Sequence, residues 1–200
     1  MTRIIAGSAR GRRLAVPAKG TRPTTDRVRE ALFSTIESEL ASTGRTWSQL
    51  RVLDLFAGTG ALGLESLSRG AHSAILVEKT RASATVLAAN VAAVGHDGAQ
   101  VLIKDARQVA TSSVPDGKVD VCFVDPPYDW PAEDVRDLLA GLADAGWLAD
   151  DAIVVVERDA RDHKNPMPPS WAEPRRRAYG DTVLWYGQAS VAAHSTEDVQ

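Results

Sequence analysis

The sequence predicts an α/β fold in which a parallel sheet is covered by helices on both faces. Short, near-continuous apolar runs such as SAILVE (73–78) and VDVCFV (119–124) alternate with segments of helical period. Strands buried on both faces read this way, whereas half-exposed strands alternate polar and apolar residues. A third observation is DLFAGTGALGLE, which sets a G-x-G-x-x-G spacing between one such run and the helix after it.

The elements follow in order. RIIAG–SARGRR–LAVP has two apolar pieces around a Gly- and Arg-rich turn, which predicts a small β-hairpin extension over residues 1–20. The main domain is expected over 21–189. It opens with RPTTDRVREALFSTIESEL, where Thr24 or Thr25 can cap a helix and Val28, Leu32, Ile36 and Leu40 share one face. RVLDLF (51–56) is a strand and ALGLESLSRG (61–70) a helix closed by Gly70. SAILVE is the next strand, followed by a helix from Arg81 to Val94 that Gly95 ends. AQVLIK (99–104) and VDVCFV are further strands. PAEDVRDLLAGLADAG (131–146) is a helix with Pro131 in its first turn, and AIVVVER (152–158) is a strand. RRRAYG and TVLWYG form a hairpin turning at Gly180-Asp181, and HKNPMPPSW (163–171) is a structured loop. Residues 190–200 lack periodicity and are expected to be a disordered tail.

Composition bounds the function. Two hundred residues, 44% of them hydrophobic, suffice for one core, and no apolar run approaches the ~20 residues that span a bilayer. The N-terminus lacks the pattern of a secretory signal, and the single cysteine, Cys122, sits inside an apolar strand as a core residue. A soluble, cytoplasmic protein is expected. Charge is unevenly placed: residues 1–30 carry eight Arg or Lys against Asp26 and Glu30, a net +6 in a chain of net −3. A basic arm on an acidic body suits phosphate, so Arg10, Arg12, Arg13, Arg22 and Arg27 are the expected nucleic-acid contacts.

Gly58, Gly60 and Gly63 let backbone amides approach a ligand, and Glu78, 18 residues past Gly60, can take ribose hydroxyls. A nicotinamide dinucleotide satisfies these features equally well. Asp54, however, would repel a pyrophosphate and attract an ammonium, and Asp105 can accept the adenine amine. Acids at three successive strand ends point to S-adenosylmethionine. Phe56, Ala57, Lys79 and Ala106, beside these residues in sequence, complete the expected cofactor site.

VDVCFVDPPYD carries the chemistry. The strand delivers Asp125 to its tip, and the rigid Pro126-Pro127 step fixes the Pro126 carbonyl beside it. Two acceptors at fixed separation suit the two hydrogens of an –NH₂ group, and Tyr128 offers an aromatic face to the base. D-P-P-Y after the fourth strand of the main domain resembles amino-group methyltransferases acting on bases. RIIAG…GRRL…VP, RPTTDRVREALF and VLDLFAGTGALGLESLSRGA are similar, nearly letter for letter, to the RsmD type of bacterial small-subunit ribosomal RNA guanine-N2 methyltransferases. The resemblance runs from Arg3 to Tyr186. It implies a Rossmann-like class I methyltransferase with a mostly parallel seven-stranded sheet, an N-terminal hairpin, and S-adenosylmethionine as donor. It implies as substrate one guanine of 16S ribosomal RNA on an assembled or partly assembled 30S subunit. A monomer without metal or membrane attachment is expected. The alternatives are an amino-group methyltransferase acting on DNA, a nicotinamide-dependent dehydrogenase, and an RNA-binding module without catalysis. The scattered histidines His72, His96, His163 and His194 speak against the dehydrogenase.

Overall fold

The computed structural model describes residues 2–16, 24–127 and 129–190. The expectations for Tyr128, Arg22, the end of the hairpin extension at 17–20 and the tail at 191–200 therefore lie outside the described residues.

The chain runs β1 (Thr2–Arg3), β2 (Arg13–Leu14), α1 (Asp26–Thr43), β3 (Arg51–Asp54), α2 (Ala61–Ser68), β4 (Ser73–Glu78), α3 (Arg81–Val94) and β5 (Ala99–Ile103). It continues with α4 (Ala106–Ala110), β6 (Val119–Val124), α5 (Ala132–Asp144), β7 (Leu148–Asp159), β8 (Arg175–Tyr179) and β9 (Thr182–Gln188). Seven strands form one sheet in the order β5-β4-β3-β6-β7-β9-β8, with β9 antiparallel to both its neighbours and every other pairing parallel. The chain builds outward from β3 through β4 to β5, then returns to place β6 on the other side of β3. This reversal opens a crevice beyond the carboxyl ends of the central strands, the place where such sheets bind ligands.

Strand alternation sends side chains to two cores. In β6, Val121 and Phe123 join the core beneath α1 and α2, while Cys122 and Val124 join the one beneath α4 and α5. Helix α1 buries Val28, Leu32, Ile36 and Leu40 as its spacing predicts, and also Phe33 and Arg29. Phe33 meets Trp47 and Phe123 at centroid distances of 5.7 and 5.8 Å.

Several boundaries differ from the sequence expectation. Thr25 caps α1, its hydroxyl accepting from the Val28 amide at 3.3 Å, while Thr24 donates to Glu157 at 2.7 Å. Pro131 caps α5 from outside rather than occupying its first turn. The first main strand ends at Asp54, two residues early, because the chain turns there into the glycine loop. Helix α2 ends at Ser68, and β7 begins at Leu148. Helix α4 and a 3₁₀ turn at Trp47–Gln49 are too short to show a period in sequence.

The N-terminal hairpin is bolted to the domain. Glu65 of α2 is fully buried, and its two oxygens accept from the Ile5 and Ala6 amides at 2.7 and 2.9 Å. Ser68 accepts from the Ala9 amide at 2.9 Å and donates to the Ala6 carbonyl at 2.6 Å. Gly7 has φ +80°, and a Cβ there would lie 1.7 Å from the Ser68 carbonyl oxygen, so close approach requires glycine. Asn90 of α3 accepts from the Ala15 amide and donates to the carbonyls of Ala15 and Thr59, joining the arm to the glycine loop.

Candidate active site

Four acids stand at the carboxyl ends of adjacent strands. Asp54 ends β3, Glu78 ends β4, Asp105 follows β5 by two residues, and Asp125 follows β6 by one. In the order of the sheet they run Asp105, Glu78, Asp54, Asp125. All four line a single cavity of about 290 Å³. Phe56, Ala57, Gly58, Lys79, Ala106 and Pro127 line it as well, so the residues marked out by sequence converge from four segments.

The three glycines divide their work. Gly58, with φ +51°, is on the cavity wall. Gly60 is not among the lining residues. It takes the left-handed step that starts α2, with Leu87 and Leu64 side chains where its Cβ would be. Gly63 lets α2 approach the sheet and donates its amide to Asp54 Oδ2 at 3.0 Å. Two of the three glycines therefore serve packing. Pro126 is buried and does not line the cavity either.

Electrostatics separate the central acids from Asp105. Burial pushes the Asp54 carboxyl up to about 7, against the lowering effect of the Gly63 and Phe56 amides, and the Glu78 charge adds to the rise. Burial also raises Asp125 well above the carboxylate range, reinforced by the charges of Glu157 and Asp54. Glu157, at the end of β7, is raised by its own burial, although the Thr24 and Thr182 hydroxyls donate to it. The outer acid Asp105 differs. Desolvation alone would raise it, but the Arg107 amide and the Lys79 ammonium, 3.2 Å away, outweigh that and hold it low. Glu78 receives the Thr80 amide and hydroxyl on Oε1, at 2.8 and 3.1 Å, which leaves Oε2 for a ligand. The central end of the cavity thus tends to hold protons, while Asp105 at the outer end holds its negative charge.

Aromatic rings wall the cavity near the D-P-P-Y segment. Trp130 meets Phe56 edge-on at 5.2 Å, with the Arg107 guanidinium 3.9 Å above the Trp130 ring. Arg158 of β7, buried and paired with Asp162 at 2.6 Å, donates to the Trp130 carbonyl at 2.6 Å and so fixes the loop after Asp125.

Residues 2–188 match the family described as conserved hypothetical protein 95. Ribosomal RNA small subunit methyltransferase D of Escherichia coli is 36% identical over 198 residues, covering 98% of this chain and 94% of that protein. The chain belongs to this family. The Haemophilus influenzae protein of the same name is 31% identical over 181 residues, covering 89% of each chain. Among solved structures, the Escherichia coli methyltransferase yhhF superposes with a TM-score of 0.79 at 35% identity, covering 95% of this chain and 98% of that one. An RNA methyltransferase from Salinibacter ruber, bound to S-adenosyl-L-homocysteine, shares the fold at TM-score 0.62 and 14% identity, covering 90% of this chain and 99% of that one. The fold is that of class I S-adenosylmethionine-dependent methyltransferases, as the resemblance implied.

In this member of the family, the arginines of the arm separate into two groups. Arg10 and Arg12 on the hairpin turn, Arg13 at the start of β2 and Arg27 on α1 are exposed, with no acidic partner among the described residues. Arg3 and Arg29 both pair with Asp26, at 3.1 and 2.8 Å, and join the hairpin to α1. Sequence reasoning missed Glu157, which reads as the polar end of a strand. It also missed Thr24 and Trp130, both on the cavity wall. The polar Thr-Thr step before α1 and the aromatic two residues past D-P-P-Y were the available signals.

Proposed function

We propose that this chain transfers a methyl group from S-adenosylmethionine to the exocyclic N2 amine of one guanine in 16S ribosomal RNA, presented on an assembled or partly assembled 30S subunit. The observation that carries the reading is Asp125 at the tip of β6, in the same cavity as the glycine loop and the acids of β3, β4 and β5. Family membership and the names of the relatives support a ribosomal RNA substrate.

The lining fits the donor. Glu78 keeps an oxygen for ribose hydroxyls, Gly58 offers a wall without a side chain, and the buried Asp54 carboxyl suits an ammonium. When bound, S-adenosylmethionine supplies an electrophilic methyl group on a sulfonium. The protein's part is positioning. The Asp125 carboxyl accepts from the N2 amine, which turns the nitrogen lone pair toward the carbon it attacks. Once the amine carries the methyl group, Asp125 or water would take the proton it sheds. That proton is acidic, so no strong base is needed. A ligand bringing N–H donors and positive charge counters the causes that raise Asp125.

Asp125→Ala should keep cofactor binding and lose most transfer. Mass mapping of 16S RNA from cells lacking the protein should show one guanine short of a methyl. Methylation of bare DNA in preference to RNA and 30S subunits would overturn the reading.

A further inference from the structure

Arg29 poses a problem that the substrate reading leaves unsolved. It lies in the first turn of α1 and is 0% exposed, yet it lines the cavity that holds Asp54 and Asp125. Its Nη2 donates to the Arg3 carbonyl at 2.7 Å and to Asp26 Oδ1 at 2.8 Å. Its Nε and Nη1 are buried and have no hydrogen-bond partner among the described residues. A buried guanidinium with unmet donors is costly, because the lost hydration is not replaced.

The acids in the cavity do not meet this need. Asp54 is engaged by the Gly63 and Phe56 amides, and no hydrogen bond joins Arg29 to Asp125 or Glu157 among the described residues. An RNA phosphate is a poor candidate, since a fully buried group is reached only through the cavity. The remaining partner is a small anion inside it.

The cavity's cationic lining residues are Lys79, Lys104 and Arg29. Lys79 and Lys104 belong to the β4 and β5 end, with Glu78 and Asp105, where the adenosine contacts are expected. The donor's amino-acid end is left with the β3 and β6 end, among Asp54, Asp125 and Thr24. That end carries one ammonium and one carboxylate. The acids there suit the ammonium, and only Arg29 among the described lining residues at that end can neutralise the carboxylate.

We propose that Arg29 is the anchor for the α-carboxylate of the methyl donor. The assignment rests on S-adenosylmethionine as cofactor and is independent of which base or polymer is methylated. Helix α1 then serves two purposes. It buries Phe33 and Ile36 in the core, and it carries a cofactor contact held in place by Asp26 and the hairpin carbonyl of Arg3.

The test is calorimetric titration of the full chain with S-adenosylhomocysteine and with its decarboxylated analogue, which keeps the amine and loses the carboxylate. The wild-type protein should prefer the carboxylated ligand by about ten- to a hundredfold, the range of a charge-assisted hydrogen bond. Arg29→Met should bind both ligands about equally, and Arg29→Lys should keep part of the preference, with thermal unfolding confirming that each variant is folded. Equal affinities in the wild type, or a preference that survives in Arg29→Met, would overturn the assignment. Should Arg29→Met fail to fold, Arg29→Lys must show a reduced preference, and an undiminished one counts against the anchor. Where neither variant folds, the Arg29 Nε–H signal of the wild-type protein decides: it should shift with the carboxylated ligand only, and an equal shift with both refutes the contact. Failure of the wild type to bind either ligand would instead strike at the choice of cofactor.

Discussion

The Gly63 amide donates to Asp54 Oδ2 at 3.0 Å, and the contact exists because residue 63 has no side chain. A Cβ there would lie 2.1 Å from Leu76 Cδ2 and 3.4 Å from Asp54 Cβ. Two effects oppose each other in Gly63→Ala. Alanine gains up to about 1 kcal/mol of helix propensity, while overpacking costs about 1–3 kcal/mol. Leu76 is fully buried and has little room to move, so overpacking should win. Urea unfolding should show a lower midpoint with an unchanged slope. An equal or raised midpoint would mean that α2 shifts freely on the sheet.

Asp54 should couple cofactor binding to pH. Its carboxyl is raised from 3.8 to about 7, so the folded protein without ligand binds a proton that the unfolded chain releases. The associated stability is fully present below the unfolded value and is lost as pH rises through about 7. A cationic ligand has the opposite preference, because it favours the ionised carboxylate. Affinity for S-adenosylmethionine should therefore rise about tenfold from about pH 6 to about pH 8, with proton release on binding. Calorimetry in buffers of different ionisation heat measures both. Asp54→Asn should remove the pH dependence, and a slope preserved in that variant would assign it to another group.

The fold was legible because its strands are buried on both faces, so apolar runs such as SAILVE and VDVCFV stand out against helical periods. The strand-end acids were legible for a related reason: a charge that stops an apolar run marks where the strand leaves the core. Arg29 and Glu157 were not. The position of Arg29 one turn into α1 suggests a structural brace, but only the packing of the hairpin and α1 reveals that its head is enclosed at the cavity. Gly60 misled in the opposite way. The motif marks it for a ligand, but its missing side chain makes room for Leu64 and Leu87.

Glu157 should set the pH range of methyl transfer through Asp125. Its charge is the second cause, after burial, of the raised Asp125 carboxyl. Glu157→Gln removes that charge while keeping an oxygen to accept from Thr24 or Thr182. Asp125 should then ionise at lower pH, moving the acidic limb of the rate profile down with little change in cofactor affinity. Single-turnover rates across pH measure the limb. An unmoved limb would show that Glu157 only braces the segment before α1.

The arm should carry substrate affinity and leave cofactor affinity alone. Arg10 and Arg12 on the hairpin turn and Arg13 at the start of β2 sit exposed on a hairpin that Glu65 and Ser68 hold fixed to α2, so their charges are presented from a rigid base. A fixed turn loses little chain entropy on binding, and guanidinium groups without an acidic partner among the described residues suit phosphates. Arg3 pairs with Asp26 and Arg29 faces the cofactor cavity, so both stay out of this test. Replacing the three hairpin arginines with alanine should flatten the salt dependence of RNA binding, each lost contact removing about 0.7–0.9 from the log–log slope. Because these contacts form alike in the bound and reacting complexes, the apparent Michaelis constant should rise far more than the maximal rate falls. Filter binding across a salt series, with S-adenosylhomocysteine affinity as the control, reads both effects. An unaltered slope in the triple variant would place the RNA on another face, with the three edge-strand arginines Arg175, Arg176 and Arg177 the next to test.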